Sequence, residues 1–136
     1  ATDMGIRSSV RFLPQYKHTD LPPLYAMADI YVSVPSWDAG PVSLKEAMAS
    51  HCTPVISNVP GPMEWVCHEV NGLVVPARDE PGLTAAICQL LSDEEKRIRF
   101  NYINRKMMIE KAAHEDQMAK IEALYMKIIN SKQHNR

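Results

Sequence analysis

The alternation of short β-branched runs with helical segments restricts the fold more than any other feature of this sequence. The runs Ile30–Val34, Pro54–Ser57 and Leu73–Val75 are almost entirely apolar, which is typical of strands buried on both faces. Helical segments lie between them, and strands that alternate with helices form parallel sheets through βαβ units. The sequence therefore predicts an α/β fold with a parallel sheet and helices on both faces.

Further elements extend this pattern toward both ends of the chain. Val10–Leu13 is a fourth β-type run, and Asp20 lies where the N-cap of a helix over Leu21–Ala28 belongs. After Pro76 the pattern is helical throughout. Three helices are predicted there, with these apolar residues: Leu83, Ile87, Leu90 and Leu91 in the first, Ile98, Tyr102, Met107 and Met108 in the second, and Met118, Ile121, Leu124, Tyr125 and Ile128 in the third, from about Glu115 to Ile129.

Composition indicates a globular chain with no basic surplus. Of its 136 residues 46% are hydrophobic, and 15 Lys and Arg against 16 Asp and Glu give a formal net charge of −1. That balance argues against nucleic acid as a partner, and no apolar run approaches the ~20 residues that span a bilayer.

Three cysteines do not form a disulfide framework, which favours a reducing, cytoplasmic compartment. Residues 131–136 are expected to be a frayed polar tail.

A candidate anion site follows the run that ends at Val34. Gly40 allows a tight turn and the close approach of a ligand, and Pro41 suits the first position of a helix that continues to Ser50. Free amide N–H groups at such a helix N-terminus bind phosphate readily. An ordinary helix start, solvated by water, is the alternative. The N–H groups concerned belong to Ala39, Gly40, Val42 and Ser43.

Two acids flank this helix start. Asp38 and Glu46 are eight residues apart, and a loop plus more than one helical turn, at ~1.5 Å per residue, separates their backbones. That is unlike the paired carboxyls of a glycosidase, which lie ~5–9.5 Å apart, although both acids could reach one extended ligand. The alternatives are that Asp38 caps the helix and that Glu46 lies on a solvated helix face.

The order and spacing of several motifs resemble the nucleotide-sugar site of glycosyltransferase family 4, a group of retaining enzymes with the GT-B fold. The family pattern is an acid, seven residues, then Glu-Ala-Met-Ala, a Gly and Pro-Val. The resemblance covers nearly the whole chain and implies the Rossmann-like sheet of a GT-B C-terminal domain. The matching segments are Pro35-Ser36-x-Asp38-x-Gly40-x3-Leu44-x-Glu46-Ala-Met-Ala49-x4-Pro54-Val-Ile, Val10-x-Phe-Leu, Leu24-Tyr-x-x-Ala28-Asp-Ile-Tyr-Val-x-x-Pro-Ser, Glu64 and Asn71-Gly72-Leu-Val-Val-Pro76.

The resemblance implies a role for each residue of this site. Glu46 would accept hydrogen bonds from the two ribose hydroxyls of the donor nucleotide, since a carboxylate has two acceptor oxygens. Asp38 would contact the donor sugar near the reacting carbon, and the backbone from Gly40 to Ser43 would hold the distal phosphate. The implied catalytic residues are thus Asp38 and Glu46, and the implied donor-binding residues are Leu13, Pro14 and Gln15 beside the base, with Gly40, Pro41, Val42, Ser43 and Glu46.

The same resemblance implies a reaction without a metal ion. A nucleotide-diphosphate-sugar would be the co-substrate, no cofactor would take part, and the sugar would pass to an acceptor with retention at the anomeric carbon. The chain contains no Asp-x-Asp motif. Zinc held by His51–Cys52 and Cys67–His68 is an alternative, although neither pair has C-x2-C spacing.

The sequence also departs from the family pattern. The first acid is Asp38 where the family usually has Glu, so its reach is shorter by one methylene. The Gly after the Met-Ala helix is replaced by His51 or Cys52, and His51 is among the better tolerated residues in the left-handed position there. The family's Gly-rich unit, with the Arg and Lys that bind the diphosphate, does not precede Ala1 in this sequence.

We therefore expect residues 1–130 to form part of a GT-B C-terminal domain that binds a nucleotide-sugar. The parent would be a retaining glycosyltransferase of the hexosyltransferase type in polysaccharide or glycoconjugate biosynthesis. Its partners would be the donor, an unidentified acceptor and a missing N-terminal domain, and the fragment alone would be inactive. The alternatives are a non-catalytic nucleotide-sugar-binding module and another GT-B enzyme, such as a nucleotide-sugar epimerase.

Overall fold

A computed structural model describes residues 4–112 and 114–133 of the chain. Within these residues one parallel sheet of three strands is flanked by helices, which confirms the predicted α/β fold. The strands are β1 (Ile30–Ser33), β2 (Thr53–Ser57) and β3 (Leu73–Val75). The helices are α1 (Leu21–Ala26), α2 (Val42–Ala49), α3 (Pro60–Met63), α4 (Glu80–Ser92), α5 (Glu94–Ala112) and α6 (His114–Gln133), with short 3-10 turns at Arg7–Ser9 and His18–Asp20.

Strand β2 lies at the centre of the sheet and pairs in parallel with both neighbours. Ser33 of β1 lies opposite Ile56, and Ser57 lies opposite Val75 of β3. Every residue of β2 is buried, whereas Val32 of β1 remains 42% exposed. The prediction that the first of these strands is buried on both faces is only partly right, because Ile30 and Tyr31 pack partly buried against apolar cores on the two faces, whereas Val32 stays exposed.

The predicted strand Val10–Leu13 does not form. The segment belongs to no strand, and its Phe12 side chain is 87% exposed. Four residues of β-type sequence cannot make a strand without a partner, because strand hydrogen bonds run between chains of the sheet and not within one. No described strand pairs with this segment, so it remains an exposed lead-in to α1.

Two apolar cores lie on opposite faces of the sheet. Adjacent residues of β2 point to opposite faces, and accordingly Val55 belongs to one core and Ile56 to the other. The Val55 core contains Leu73, Val75, Ala86, Leu90 and Phe100. The Ile56 core contains Leu44, Met48, Val66 and Met108. Helix α2 is therefore fixed against the sheet by Leu44 and Met48.

The buried face of α5 differs from the predicted one. Ile98 and Tyr102 are 62% and 72% exposed, whereas Phe100, Asn104 and Met108 are buried. These three residues are spaced by four and share one helix face, but the polar residue in the middle hides the stripe from a search for apolar periodicity. The predictions for Ile98 and Tyr102 are therefore wrong.

Asn104 is buried because it pairs with a second buried amide, Asn71. Asn71 Nδ2 donates to Asn104 Oδ1, and Asn104 Nδ2 donates to the Asn71 carbonyl, both at 2.9 Å. Asn71 also donates to the Trp65 carbonyl and accepts from the Cys67 amide. This network ties α5 to the loop before β3.

Helices α4 and α6 also expose apolar residues that the sequence placed on buried faces. Leu91 of α4 is exposed, because Ala86 and Leu90 carry the contact with the sheet. Along α6 the apolar residues remain exposed, and the backbone is helical to Gln133, four residues beyond the predicted end. The frayed tail predicted for 131–136 is thus helical at 131–133, and 134–136 lie outside the described residues.

No described helix is long and apolar enough to span a membrane.

We predict that Asn104→Ala lowers the free energy of unfolding by about 1–3 kcal/mol, because it leaves buried groups of Asn71 without a partner. Tyr102→Ala, on the exposed face of the same helix, should change it by no more than about 0.5 kcal/mol. Urea denaturation of both variants tests this. Equal effects would contradict the buried amide pair.

Candidate functional site

Two loops meet at the carboxyl ends of β1 and β2. The Ser57 hydroxyl donates to the Pro35 carbonyl at 2.6 Å, and the Gly61 amide donates to the Asp38 carbonyl at 3.2 Å. In doubly wound sheets ligands bind at this edge. The structure thus brings the loop that carries Asp38 against the loop that leads into α3, where the sequence predicted the site.

Gly61 allows this close approach of the two backbones. A Cβ on Gly61 would lie 2.4 Å from the Asp38 carbonyl oxygen, which is too close for any other residue unless the loop moves. Gly40, by contrast, has open space around its Cβ position and no left-handed φ. Sequence reasoning missed Gly61, although Pro60-Gly61-Pro62 was a visible turn signal.

Asp38 closes its own loop and does not cap α2. Its Oδ1 accepts a hydrogen bond from the Gly40 amide at 3.0 Å. Helix α2 begins at Val42 with Pro41 as its N-cap, and no side chain caps it. Pro41 is therefore one position earlier than predicted, and the Gly40 amide, which was expected to be free for an anion, is held by Asp38.

Glu46 is held by two side chains from the segment before β1. Its Oε1 accepts from His18 Nε2 at 2.6 Å, and its Oε2 accepts from the Tyr25 hydroxyl at 3.5 Å. The Glu46 side chain is only 25% exposed. The alternative that Glu46 lies on a solvated helix face is therefore wrong.

Tyr25 links Glu46 to the start of α2. Burial and, next, the negative charge of Glu46 raise the pKa of Tyr25, so its hydroxyl stays protonated and donates at neutral pH. The Tyr25 ring packs edge-on against Tyr31, with centroids 6.4 Å apart. Tyr31 in turn shares a hydrogen bond of 2.8 Å with the Ser43 hydroxyl. One chain of contacts thus joins the candidate ribose and phosphate residues.

An open groove of about 810 Å³ adjoins Glu46 between α2 and the end of α5. Lys45 Nζ lies 5.1 Å from the centroid of the Trp65 ring in its wall, and the partly buried Trp65 also packs against the Ile56 core. Arg105 donates to the Ala49 carbonyl at the end of α2. The charged residues that line the groove are Lys45, Glu46, Arg105 and Lys111, and the His18 imidazole lies beside them.

The residues expected beside the nucleotide base remain in the exposed segment before α1. Leu13, Pro14 and Gln15 are all exposed and belong to no helix or strand. It is His18, three residues beyond Gln15, that reaches Glu46. Sequence reasoning missed this contact because the segment has no periodicity that would fix its path.

The two His and Cys pairs occupy different environments. His51 has a φ of 69°, so His51, and not Cys52, takes the left-handed position after α2 that the sequence left open between them. Cys52 is buried, its thiol donates to the Tyr25 carbonyl, and burial raises its pKa to about 11. Cys67 is exposed, and His68 Nδ1 accepts from the Val74 amide. Within 4–112 and 114–133, no group of three or more His, Cys, Asp or Glu residues is arranged to hold a metal ion.

Residues 1–107 match the model of the family described as "Glycosyl transferases group 1". The chain therefore belongs to the group 1 glycosyltransferases. Its relatives include the uncharacterized glycosyltransferase MJ1607 of Methanocaldococcus jannaschii, 33% identical over 90 residues, which are 66% of this chain and 23% of that protein. They also include the D-inositol 3-phosphate glycosyltransferase of Salinispora arenicola, 38% identical over 95 residues, 68% of this chain and 21% of that protein.

Solved structures show the same fold. Sucrose-phosphate synthase from Thermosynechococcus elongatus superposes with a TM-score of 0.91 at 24% identity, covering 96% of this chain and 33% of that one. Anabaena Alr3699/HepE in complex with UDP-glucose superposes with a TM-score of 0.82 at 21% identity, covering 96% and 34%. These GT-B neighbours confirm the Rossmann-like fold. The chain spans about a fifth to a third of the proteins it matches.

We predict that Gly61→Ala lowers the free energy of unfolding by about 1–3 kcal/mol, because the new methyl group overpacks the Asp38 backbone. Gly40→Ala is the matched control, since nothing lies within 4 Å of its added Cβ, and it should change stability by no more than about 0.5 kcal/mol. Urea denaturation gives both values. Amide NMR shifts of the Asp38 loop should move in the first variant; unchanged shifts with full stability would refute the close contact.

Proposed function

We propose that this chain is the donor-binding part of a retaining, family 4 glycosyltransferase that transfers a sugar from a nucleotide-diphosphate-sugar to an acceptor. The observation that carries the proposal is the placement of Glu46 and the Asp38 loop around the start of α2, at the carboxyl edge of the sheet. Family membership and the UDP-glucose complex of the Anabaena neighbour support it. The proposed enzyme works in the cytoplasm, in polysaccharide or glycoconjugate biosynthesis.

Glu46 has the chemistry to bind a ribose. Its two carboxylate oxygens can each accept a hydrogen bond from one hydroxyl of a vicinal diol. Leu44 and Met48, on either side of it in α2, are completely buried, and their packing sets the rotation of the helix. Glu46 is thereby directed to the groove beside His18 and Tyr25, in reach of an extended ligand.

The start of α2 has the chemistry to bind a diphosphate. The Val42 and Ser43 amides lie in the first helical turn, where N–H groups have no partner within the helix and the helix dipole favours an anion. In the proposed reaction the bond from the anomeric carbon to the diphosphate breaks, and these amides stabilise the departing negative charge. The acceptor oxygen bonds to that carbon on the same face, and its proton passes to the departing diphosphate oxygen.

Asp38 is assigned to the donor sugar. Its carboxylate lies in the loop directly before α2, where it accepts a hydrogen bond from the Gly40 amide. A negative charge there stabilises the positive character that develops on the sugar ring as the bond breaks. The proposal uses the nucleotide-sugar alone as co-substrate, with no metal, in keeping with the absence of an Asp-x-Asp motif from the sequence.

We predict that Glu46→Gln and Asp38→Asn impair the transferase differently. Glu46→Gln should weaken nucleoside diphosphate binding about 10- to 150-fold, the range expected for a charge-assisted hydrogen bond. Asp38→Asn should mainly lower kcat, because its charge acts on the transition state. Calorimetry with UDP and steady-state kinetics of the complete enzyme separate the two effects.

Glu95→Gln, an exposed acid at the start of α5, is the control and should match the unchanged protein. If Asp38→Asn loses nucleotide affinity at an unchanged kcat, the assigned roles are wrong. Transfer from a panel of nucleotide-sugars, with the anomeric configuration of the product read by NMR, tests the reaction itself. Binding without turnover by the complete protein would favour a non-catalytic module, and inversion would overturn the retaining assignment.

A further inference from the structure

Tyr31 and Ser43 form a pair of hydroxyl groups beside the start of α2. Their oxygens lie 2.8 Å apart. Tyr31 is a partly buried residue of β1 whose ring packs against the Ile56 core and edge-on against Tyr25, and this packing restricts where its hydroxyl can lie. Ser43 is exposed in the first turn of α2. A strand and a helix that are each packed against the same core thus hold the two hydroxyls together.

One proton of this pair has no acceptor among the residues that the structure describes. Each hydroxyl can donate one hydrogen bond, and the bond between the two uses one of their two protons. Neither oxygen makes a further hydrogen bond within the described part of the chain. Whichever hydroxyl donates to the other, the pair can therefore offer one proton to a ligand. When Tyr31 donates, that proton belongs to Ser43.

Ser43 lies between the two groups that the proposed function assigns to a nucleotide. It precedes Glu46 by three residues, a spacing that places both side chains on one face of the helix, about 4.5 Å apart along its axis. Its own amide is one of the two in the first turn that are assigned to the diphosphate. In a nucleotide the first phosphate is joined to the ribose through a single carbon atom. A nucleotide with its ribose on Glu46 and its diphosphate at the helix start therefore passes the Ser43 hydroxyl.

We propose that the Ser43 hydroxyl donates to the ribose-proximal phosphate of the nucleotide, and that Tyr31 is the positioning residue that directs it there. This inference rests on the proposed function, because it takes Glu46 as the ribose-binding residue. Tyr31 donates to Ser43 Oγ, which leaves the Ser43 proton for a phosphate oxygen. Successive hydrogen bonds of this kind polarise and strengthen one another, and a hydrogen bond to a charged group contributes more than one between neutral groups.

A purely structural link between β1 and α2 is the other role that the same pair could have. The two elements are already joined without it, since Leu44 and Met48 of α2 are buried in the core against which the Tyr31 ring packs. The hydrogen bond between the hydroxyls is itself exposed. We therefore expect Tyr31→Phe, which keeps the ring, to fold as the unchanged protein does and to differ from it in ligand binding.

The test is a double-mutant cycle on the complete enzyme, read by calorimetric titration with UDP and UMP and by NMR titration with uridine. Ser43→Ala should weaken binding of UDP and UMP about 10- to 150-fold, the range expected for a hydrogen bond to a charged group. It should leave uridine binding unchanged, because uridine has no phosphate. Tyr31→Phe should weaken UDP binding about 2- to 12-fold, the range for a neutral hydrogen bond. The double variant should bind UDP no more weakly than Ser43→Ala, since Tyr31 acts through Ser43.

Two further variants separate the hydroxyl from the side chain that carries it. Ser43→Thr keeps the donor and should bind UDP nearly as tightly as the unchanged protein. Tyr102→Phe is the matched control, because it removes the hydroxyl of an exposed tyrosine on α5, and it should leave UDP affinity unchanged. If the enzyme selects another base, the same cycle is run with GDP, GMP and guanosine or with ADP, AMP and adenosine.

The inference is overturned if Tyr31→Phe weakens UDP binding by the same factor in the Ser43→Ala protein as in the unchanged one, because Tyr31 then does not act through Ser43. Unchanged UDP affinity in Ser43→Ala also overturns it, as does an equal loss of uridine affinity. In each of these cases weaker UDP binding by Glu46→Gln would leave the proposed function standing. If the unchanged protein binds none of UDP, GDP and ADP, the proposed function fails together with the inference.

Discussion

The parallel pairing of β2 with both neighbours is the constraint on which the rest of the structure depends. Because β2 is buried throughout, its alternating side chains anchor helices on both faces, through Val55 on one and Ile56 on the other. Because the pairing is parallel, β1 and β2 end at the same edge of the sheet. The loops that carry the candidate site residues are adjacent for that reason, and not because of any direct attraction between those residues.

Backbone contacts then convert this adjacency into a defined geometry. The Gly61 amide reaches the Asp38 carbonyl, and the absence of a side chain at Gly61 sets the distance between the loops. Helix α2 follows from the same loop, and its buried residues Leu44 and Met48 fix its rotation against Ile56. The direction of Glu46 is therefore a consequence of core packing on the opposite face of its own helix.

The sequence predicted those parts of the structure that depend on local pattern. β1, β2 and β3 are rich in β-branched residues and flanked by turn residues, and these three strands are confirmed. The failures depend on non-local contacts. Val10–Leu13 needs a pairing partner, and Asn104 is buried because Asn71, 33 residues away, satisfies its amide.

The residues of the candidate site that the sequence predicted differ in the same respect from those that it missed. Asp38 and Glu46 were predicted through the resemblance of one loop and helix to a family motif, which involves only neighbouring residues of the sequence. His18 was missed because it lies 28 residues from Glu46 in sequence, in a segment without hydrophobic periodicity. Gly61 was missed because the demand for glycine arises from a second loop. Contacts between separate segments leave little local signal in one sequence.

The two acids of the site are held by different kinds of contact, and this difference matches the proposed division of roles. Asp38 is fixed by the backbone, through the Gly40 amide on its carboxylate and the Gly61 amide on its carbonyl. A charge that stabilises a transition state acts best when it needs no rearrangement during the reaction. Glu46 is held by side chains, His18 on one oxygen and Tyr25 on the other, and not by backbone amides. Each carboxylate oxygen has two lone pairs, so Glu46 can keep these contacts, which orient it, and still accept one ribose hydroxyl on each oxygen.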